Sequence, residues 1–305
     1  MRRSALVPAI LLFGIWSLSG RAAAQDDPSA YSLSVDVRLV ELTVTAIDRR
    51  GRCVANLKQD DFAVFEENQP QRIDVFSPGA DTPVDLAYLV DVSGSMALDN
   101  QLGLAVWAAK VFIGRLRERD RAAVLAFADA GLETIGDFGT SRQQLARQLD
   151  ELYAYGKTGL ADALATLPGR LPGRSEALRA VVLLTDGLEN ASNIAMDQAL
   201  RDAARSEVPF FPIAFARADR DRSGPPRQDL ALLEEIARAT GGQYHLVGGP
   251  AELHVAMRAI EADLRCSYRV GYYPTSLGDR GTFQRVRVVT PGRALRTRTR
   301  SGYFR

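Results

Sequence analysis

Apolar and polar positions alternate with a period of two along the first part of the chain, which predicts strands rather than helices. Val35, Val37 and Leu39 carry the alternation in one register and Leu42, Val44 and Ala46 in the other, so a bulge or bend is expected near Val40. Residues 61–65 and 72–76 form two further short strands, joined by a polar connection from Glu66 to Gln71. Ser77 to Pro83 is a turn-rich linker, and beyond it the pattern changes. From residue 84 to about 265, strand candidates at 86–90, 122–127, 134–138, 180–184, 210–215 and 243–246 alternate with helical segments. The helices are expected near 101–118, 141–152, 160–167, 196–206, 229–239 and 250–264. Runs such as Ala180-Val181-Val182-Leu183-Leu184 are apolar without interruption, as in a parallel sheet covered on both faces. That alternation predicts an α/β, doubly wound, mostly parallel sheet.

After Cys266 the period of two returns, at 267–273, 283–289 and 296–303. Three strands at each end make a poor core alone. The economical solution is one β-sandwich built from both ends of the chain, with the α/β domain inserted between them. The expected division is a leader at 1–24, an N-terminal β segment at 25–80, the α/β domain at 81–265 and a C-terminal β segment at 266–305. Arg285 and Arg287 alternate with Val286 and Val288, and Arg296, Arg298 and Arg300 occupy alternate positions on the last strand. The plain reading is a solvated face with charged edge protection. The sharper one is a docking surface for an acidic polymer.

Composition narrows the function classes. A net charge of +1 over 305 residues gives no overall field favouring nucleic acid or an anionic membrane. Arg2 and Arg3, the apolar run from Ala5 to Leu18 and the small residues Ala22-Ala23-Ala24 read as an export signal; an uncleaved anchor is the alternative. The mature protein is then periplasmic or extracellular, with no stable membrane span. In that compartment Cys53 and Cys266 either bridge or remain two buried thiols acting as small hydrophobes.

The candidate chemistry gathers in three loops that follow strands or precede a helix. Asp91-Val92-Ser93-Gly94-Ser95 places one carboxylate and two hydroxyls two residues apart on a turn leaving a buried strand. Gly156 to Asp162 offers the Thr158 hydroxyl, and Thr185-Asp186-Gly187 follows the most apolar strand. In a doubly wound sheet such loops converge at the carboxyl ends of the strands. Two carboxylates, three hydroxyls and waters suit Mg²⁺ (or Mn²⁺), with one coordination position left for an outside group.

Asp91-x-Ser93-x-Ser95 with Thr158 and Asp186, in this order, resembles the metal-ion-dependent adhesion site of the von Willebrand factor type A domain over about residues 84–265. Asp61-Phe62-x-Val64-x-Glu66 and Tyr268-x-Val270-Gly271-Tyr272-Tyr273-Pro274 are similar to the flanks of bacterial secreted proteins related to that domain. The resemblance implies that Ser93, Ser95 and Thr158 coordinate the ion and that Asp91 and Asp186 hold it directly or through water. It also implies a protein ligand that presents an acidic residue to the open position.

The expected function is therefore an exported, non-enzymatic, Mg²⁺-dependent binding module. The alternatives are a structural subunit of a cell-envelope assembly and a metal-assisted hydrolase. Against the hydrolase, no histidine approaches the metal loops in sequence and no G-x-S-x-G elbow exists. Asp162 suits the first turn of its helix and is read as structural. His245 and His254 are given packing or surface roles, and the loop from Arg217 to Gln228 a solvated one. Asn190-Ala191-Ser192 is a formal glycosylation sequon, relevant only where the host glycosylates.

Overall fold

Val40, Leu42, Val44 and Ala46 lie on one face of a strand and are buried to 2% exposure or less, because side chains two apart share a face. The strand, β1 (Val40–Ile47), belongs to a computed structural model that describes residues 39–129, 131–171, 176–216, 228–275 and 281–305. The leader, the alternation at 35–38 and most of the 217–228 loop lie outside the described residues.

Three short strands follow: β2 (Ala63–Glu66), β3 (Gln69–Gln71) and β4 (Val75–Pro78). The expected strand at 72–76 is not one strand. β3 closes a two-residue hairpin on β2, with Glu67 and Asn68 at φ of 44° and 66° as a primed turn requires. Residues 72–74 then carry the chain to a different sheet. Pro70 is tolerated because β3 is an edge strand.

The α/β part runs β5 (Val84–Asp91), α1 (Gln101–Arg115), β6 (Arg121–Ala128), β7 (Gly131–Gly136), α2 (Arg142–Asp150), α3 (Leu160–Thr166), β8 (Leu178–Thr185), α4 (Met196–Arg205), β9 (Phe210–Phe215), α5 (Gln228–Thr240), β10 (His245–Val247) and α6 (Pro250–Cys266). The sheet order is β10-β9-β8-β5-β6-β7, parallel except for β7. Leu86, Tyr88 and Val90 of β5 face one helical layer, and Ala87 and Leu89 the other. Both faces being covered, every residue of β5 is buried, which accounts for the apolar run from Leu86 to Val90. Among the described residues no helix is long and apolar enough to cross a membrane.

The chain ends in β11 (Tyr268–Tyr272), β12 (Phe283–Val289), β13 (Arg296–Arg298) and β14 (Gly302–Phe304). They complete two four-stranded sheets, β13-β1-β11-β4 and β14-β12-β2-β3. The flanking segments thus share one sandwich core, in which Leu42, Val44, Val64, Tyr268, Val270 and Val288 meet. Cys53 and Cys266 form a disulfide with Cα atoms 6.2 Å apart.

The arginines of the C-terminus fit the expectation of a solvated face at three positions and correct it at two. Arg285, Arg287 and Arg296 are exposed, but Arg298 ion-pairs with Asp263 of α6, and Arg300 is 4% exposed. Arg300 donates to the Glu41 carbonyl (2.9 Å) and lies 3.5 Å from the Glu207 carboxylate. Nearby, Glu66 is buried and accepts hydrogen bonds from the hydroxyls of Tyr272 (2.6 Å) and Tyr303 (3.0 Å). Burial and the Glu66 carboxylate hold both phenols above their ordinary range. A polar cluster therefore seals the base of the sandwich, and Arg298 and Arg300 serve that junction rather than an outside polymer.

His245 sits on β10 with its Nε2 buried and without a hydrogen-bond partner. Burial, and then the Arg298 charge, push its pKa down to about 4. An unfolded chain takes up this proton near pH 6.5 and the folded one resists it, so stability is full above 6.5 and is lost as pH falls towards 4. The expected loss between pH 7 and pH 4.5 is on the order of 2 kcal/mol from this residue. His245→Gln should flatten the pH dependence of the urea midpoint by that amount; an unaltered profile would refute the assignment.

Candidate metal centre

Strand order places the switch point between β5 and β8: the chain leaves β5 towards β6 on one side and returns at β8 on the other. Crossovers diverge there and leave a crevice at the carboxyl ends of the strands. Asp91 is the last residue of β5, and Asp186 follows the last residue of β8.

The first loop folds back on its own carboxylate. Asp91 Oδ1 accepts the Ser93 N–H at 2.9 Å, and Ser93 Oγ and Ser95 Oγ lie 3.1 Å apart. The chain then turns through a short 3-10 segment into α1. The second loop lies against the first: Gly94 N–H donates to the Gly156 carbonyl (3.0 Å) and Tyr155 N–H to the Val92 carbonyl (2.8 Å). Gly156 has φ of +66°, and a Cβ there would stand 2.4 Å from the Asp129 carboxylate, so glycine is favoured. The third loop is sewn to the second, because Asn190 Oδ1 accepts the Thr158 N–H (2.9 Å) while the Thr158 carbonyl accepts the N–H groups of Asn190 and Ala191 (both 3.1 Å).

Asp91, Ser93, Thr158 and Asp186 are all at most 1% exposed, and Ser95 is half-buried. Burial pushes the Asp91 carboxyl up to about 6; hydrogen bonds from Thr185 and Ser93 oppose this, and the Asp186 charge adds to it. Two buried carboxylates that repel one another, on loops in contact with those that carry Ser93, Ser95 and Thr158, are what a hard divalent cation relieves. No group of three or more His, Cys, Asp or Glu side chains gathers among the described residues, so an ion here would rely on hydroxyl oxygens.

Several residues that hold these loops were not singled out from sequence. Thr185 donates to Asp91 Oδ2 (2.6 Å) and accepts the Gly187 N–H (3.0 Å), fixing the carboxylate from behind. Glu189 accepts the Ala161 N–H and the Ser192 hydroxyl at 2.9 and 2.8 Å. Thr185 adjoins Asp186 at the strand end and was legible as a hydroxyl there; the reach of Glu189 across to α3 had no sequence signal. Asp162 accepts the N–H groups of Asn193 and Ile194, the structural part expected of it. His245 and His254 lie on β10 and α6, away from all three loops.

Residues 86–189 match the family model of the von Willebrand factor type A domain. A Borreliella burgdorferi protein described as uncharacterized is 29% identical over 202 residues, covering 57% of this chain and 57% of its own length. This chain thus spans little more than half of that relative. Among solved structures, a von Willebrand factor type A protein from Catenulispora acidiphila superposes with a TM-score of 0.50 at 16% identity, covering 86% of this chain and 72% of its own. Proximal thread matrix protein 1 from the mussel byssus, solved with a zinc-occupied MIDAS motif, gives 0.53 at 19% identity over 66% of this chain and 50% of its own. Likeness at these identities establishes the fold.

Proposed function

We propose, of a chain that carries a von Willebrand factor type A domain, that it is an exported, non-enzymatic interaction module whose binding depends on a divalent cation. Asp91, Ser93, Ser95, Thr158 and Asp186 would hold the ion, and the partner would be a protein presenting an acidic residue to it. The observation that carries this reading is the buried pair Asp91 and Asp186 at the switch point, with hydroxyls on the facing loops.

The ion would supply positive charge that weak hydroxyl ligands leave under-neutralised, and an external carboxylate would satisfy it. An all-oxygen donor set favours Mg²⁺ or Mn²⁺ over zinc, which prefers nitrogen and sulfur. Export is supported by the leader-like N-terminus and by the disulfide, which persists in oxidising compartments. Against hydrolysis, both histidines lie on β10 and α6, elements that supply none of the three loops.

Calorimetric titration of Mg²⁺ into chelator-stripped protein tests the reading. One site is expected, and Asp91→Asn should weaken it by about 100-fold, because the amide keeps the size but loses the charge and one of the two acceptor oxygens. Unchanged affinity in a variant with unchanged far-UV dichroism would sink the site. Thr158→Ala should lower affinity less. Partner capture from an envelope extract should vanish in chelator and return with Mg²⁺; if only thermal stability responds to the ion, the protein is a structural subunit instead.

A further inference from the structure

Leaving α2, residues 151–155 run beside the Asp91–Ser95 loop and are tied to it through Tyr155 and Val92. Between this segment, β7 and the end of α2 lies a groove of about 400 Å³, whose walls include Val92, Glu133, Gln148, Glu151, Tyr153 and Tyr155. Its two tyrosines are 71% and 44% exposed, with ring centroids 5.4 Å apart. Two neighbouring rings held open to solvent are costly to leave uncovered and offer a large rigid contact at little entropic cost.

The charged side chains that line the groove are carboxylates, and its one amide leaves a buried acceptor. Glu133 and Glu151 are exposed carboxylates with no ion pair among the described residues. Gln148 Oε1 is buried without a hydrogen-bond partner. No lysine or arginine is among the residues that line the groove, and Lys110 of α1 is held 2.6 Å from Asp150. Burial, and then the Glu133 charge, hold the Tyr155 hydroxyl above its ordinary range. An occupant must therefore be cationic, rich in donors and flat enough to lie on an aromatic face. Guanidinium has five donors in a plane and stacks on aromatic rings; ammonium has neither the plane nor the number.

We propose that this groove receives an arginine side chain of the partner, next to the acidic residue that engages the ion. The partner then carries an acidic and a basic anchor on one surface. The acidic anchor rests on the reading of the metal centre; the arginine site does not, because no groove residue is a proposed ligand.

The probe is N-acetyl-arginine amide, titrated into tyrosine-labelled protein and followed by NMR, with the neutral isostere N-acetyl-citrulline amide as control. The arginine probe should shift the Tyr153 and Tyr155 ring signals saturably, equally with Mg²⁺ and in chelator. Citrulline should bind at least tenfold more weakly. Glu133→Gln combined with Glu151→Gln should weaken the arginine probe about tenfold, and Tyr153→Ala several-fold, both at exposed positions that the fold tolerates. Equal binding of citrulline, absence of a saturable shift, or indifference to these variants would overturn the proposal. Since the titration proceeds in chelator, its outcome is independent of whether Mg²⁺ binds.

Discussion

Reducing the Cys53–Cys266 bridge should cost the folded protein about 5 kcal/mol, the largest single effect expected here. The two cysteines are 213 residues apart, and tying so long a loop removes much freedom from the unfolded chain. Because the cost grows only with the logarithm of loop length, the figure is insensitive to where the loop is taken to begin. Cys53 pairs with the end of β1, and Cys266 closes α6, so the bridge fastens the sandwich to the α/β domain. Urea unfolding with and without reductant measures the effect, and a double Cys53→Ser, Cys266→Ser variant should match the reduced protein. A wild-type midpoint that reductant leaves in place would show that the bridge does not constrain the unfolded chain.

Arg300→Met should cost about 3–5 kcal/mol, because it strips one member from a buried ion pair and leaves the other in place. The Glu207 side chain is 8% exposed and lies 3.5 Å from the guanidinium, so water cannot replace that charge readily. Burial lowers the arginine's pKa and Glu207 holds it up. The guanidinium also covers the Tyr303 ring at 5.4 Å and caps the Glu41 carbonyl of β1. Neutralising both partners, as Arg300→Met with Glu207→Gln, should recover a good part of the loss, since replacing a whole buried pair is often close to neutral. A double variant as unstable as the single one would place the cost in lost packing rather than in the Glu207 charge.

The sheet was legible in the sequence because burial on both faces leaves nothing but apolar residues, and 180–184 announces that plainly. Helix positions were legible for the same reason: Leu102, Ala105, Ala109 and Phe112 recur at helical spacing against a sheet. The sandwich came from an argument about insufficiency, since neither β segment could bury itself. What escaped were features decided by partners far along the chain. Residues 72–76 look like one strand until the sheets on either side pull their ends apart. Arg298 and Arg300 alternate as surface arginines do, and only Asp263 and Glu207 show why they are inside. For the candidate centre, the ligand types could be read from the loops, whereas the clamps Thr185 and Glu189 depend on which loops touch.

The sandwich also imposes an order of events. A chain made from its N-terminus produces β1 and β2 more than 190 residues before β11 and β12, their main pairing partners. Until then the apolar faces of Leu42, Val44 and Val64 have no lasting cover, while the α/β part, whose neighbours in the sheet are nearer in sequence, can assemble first. Closure of the sandwich thus waits for the C-terminal strands, and an incomplete chain is left with sticky, unmated strands. For such a protein the intact bridge records that the end of β1 and the end of α6 have met.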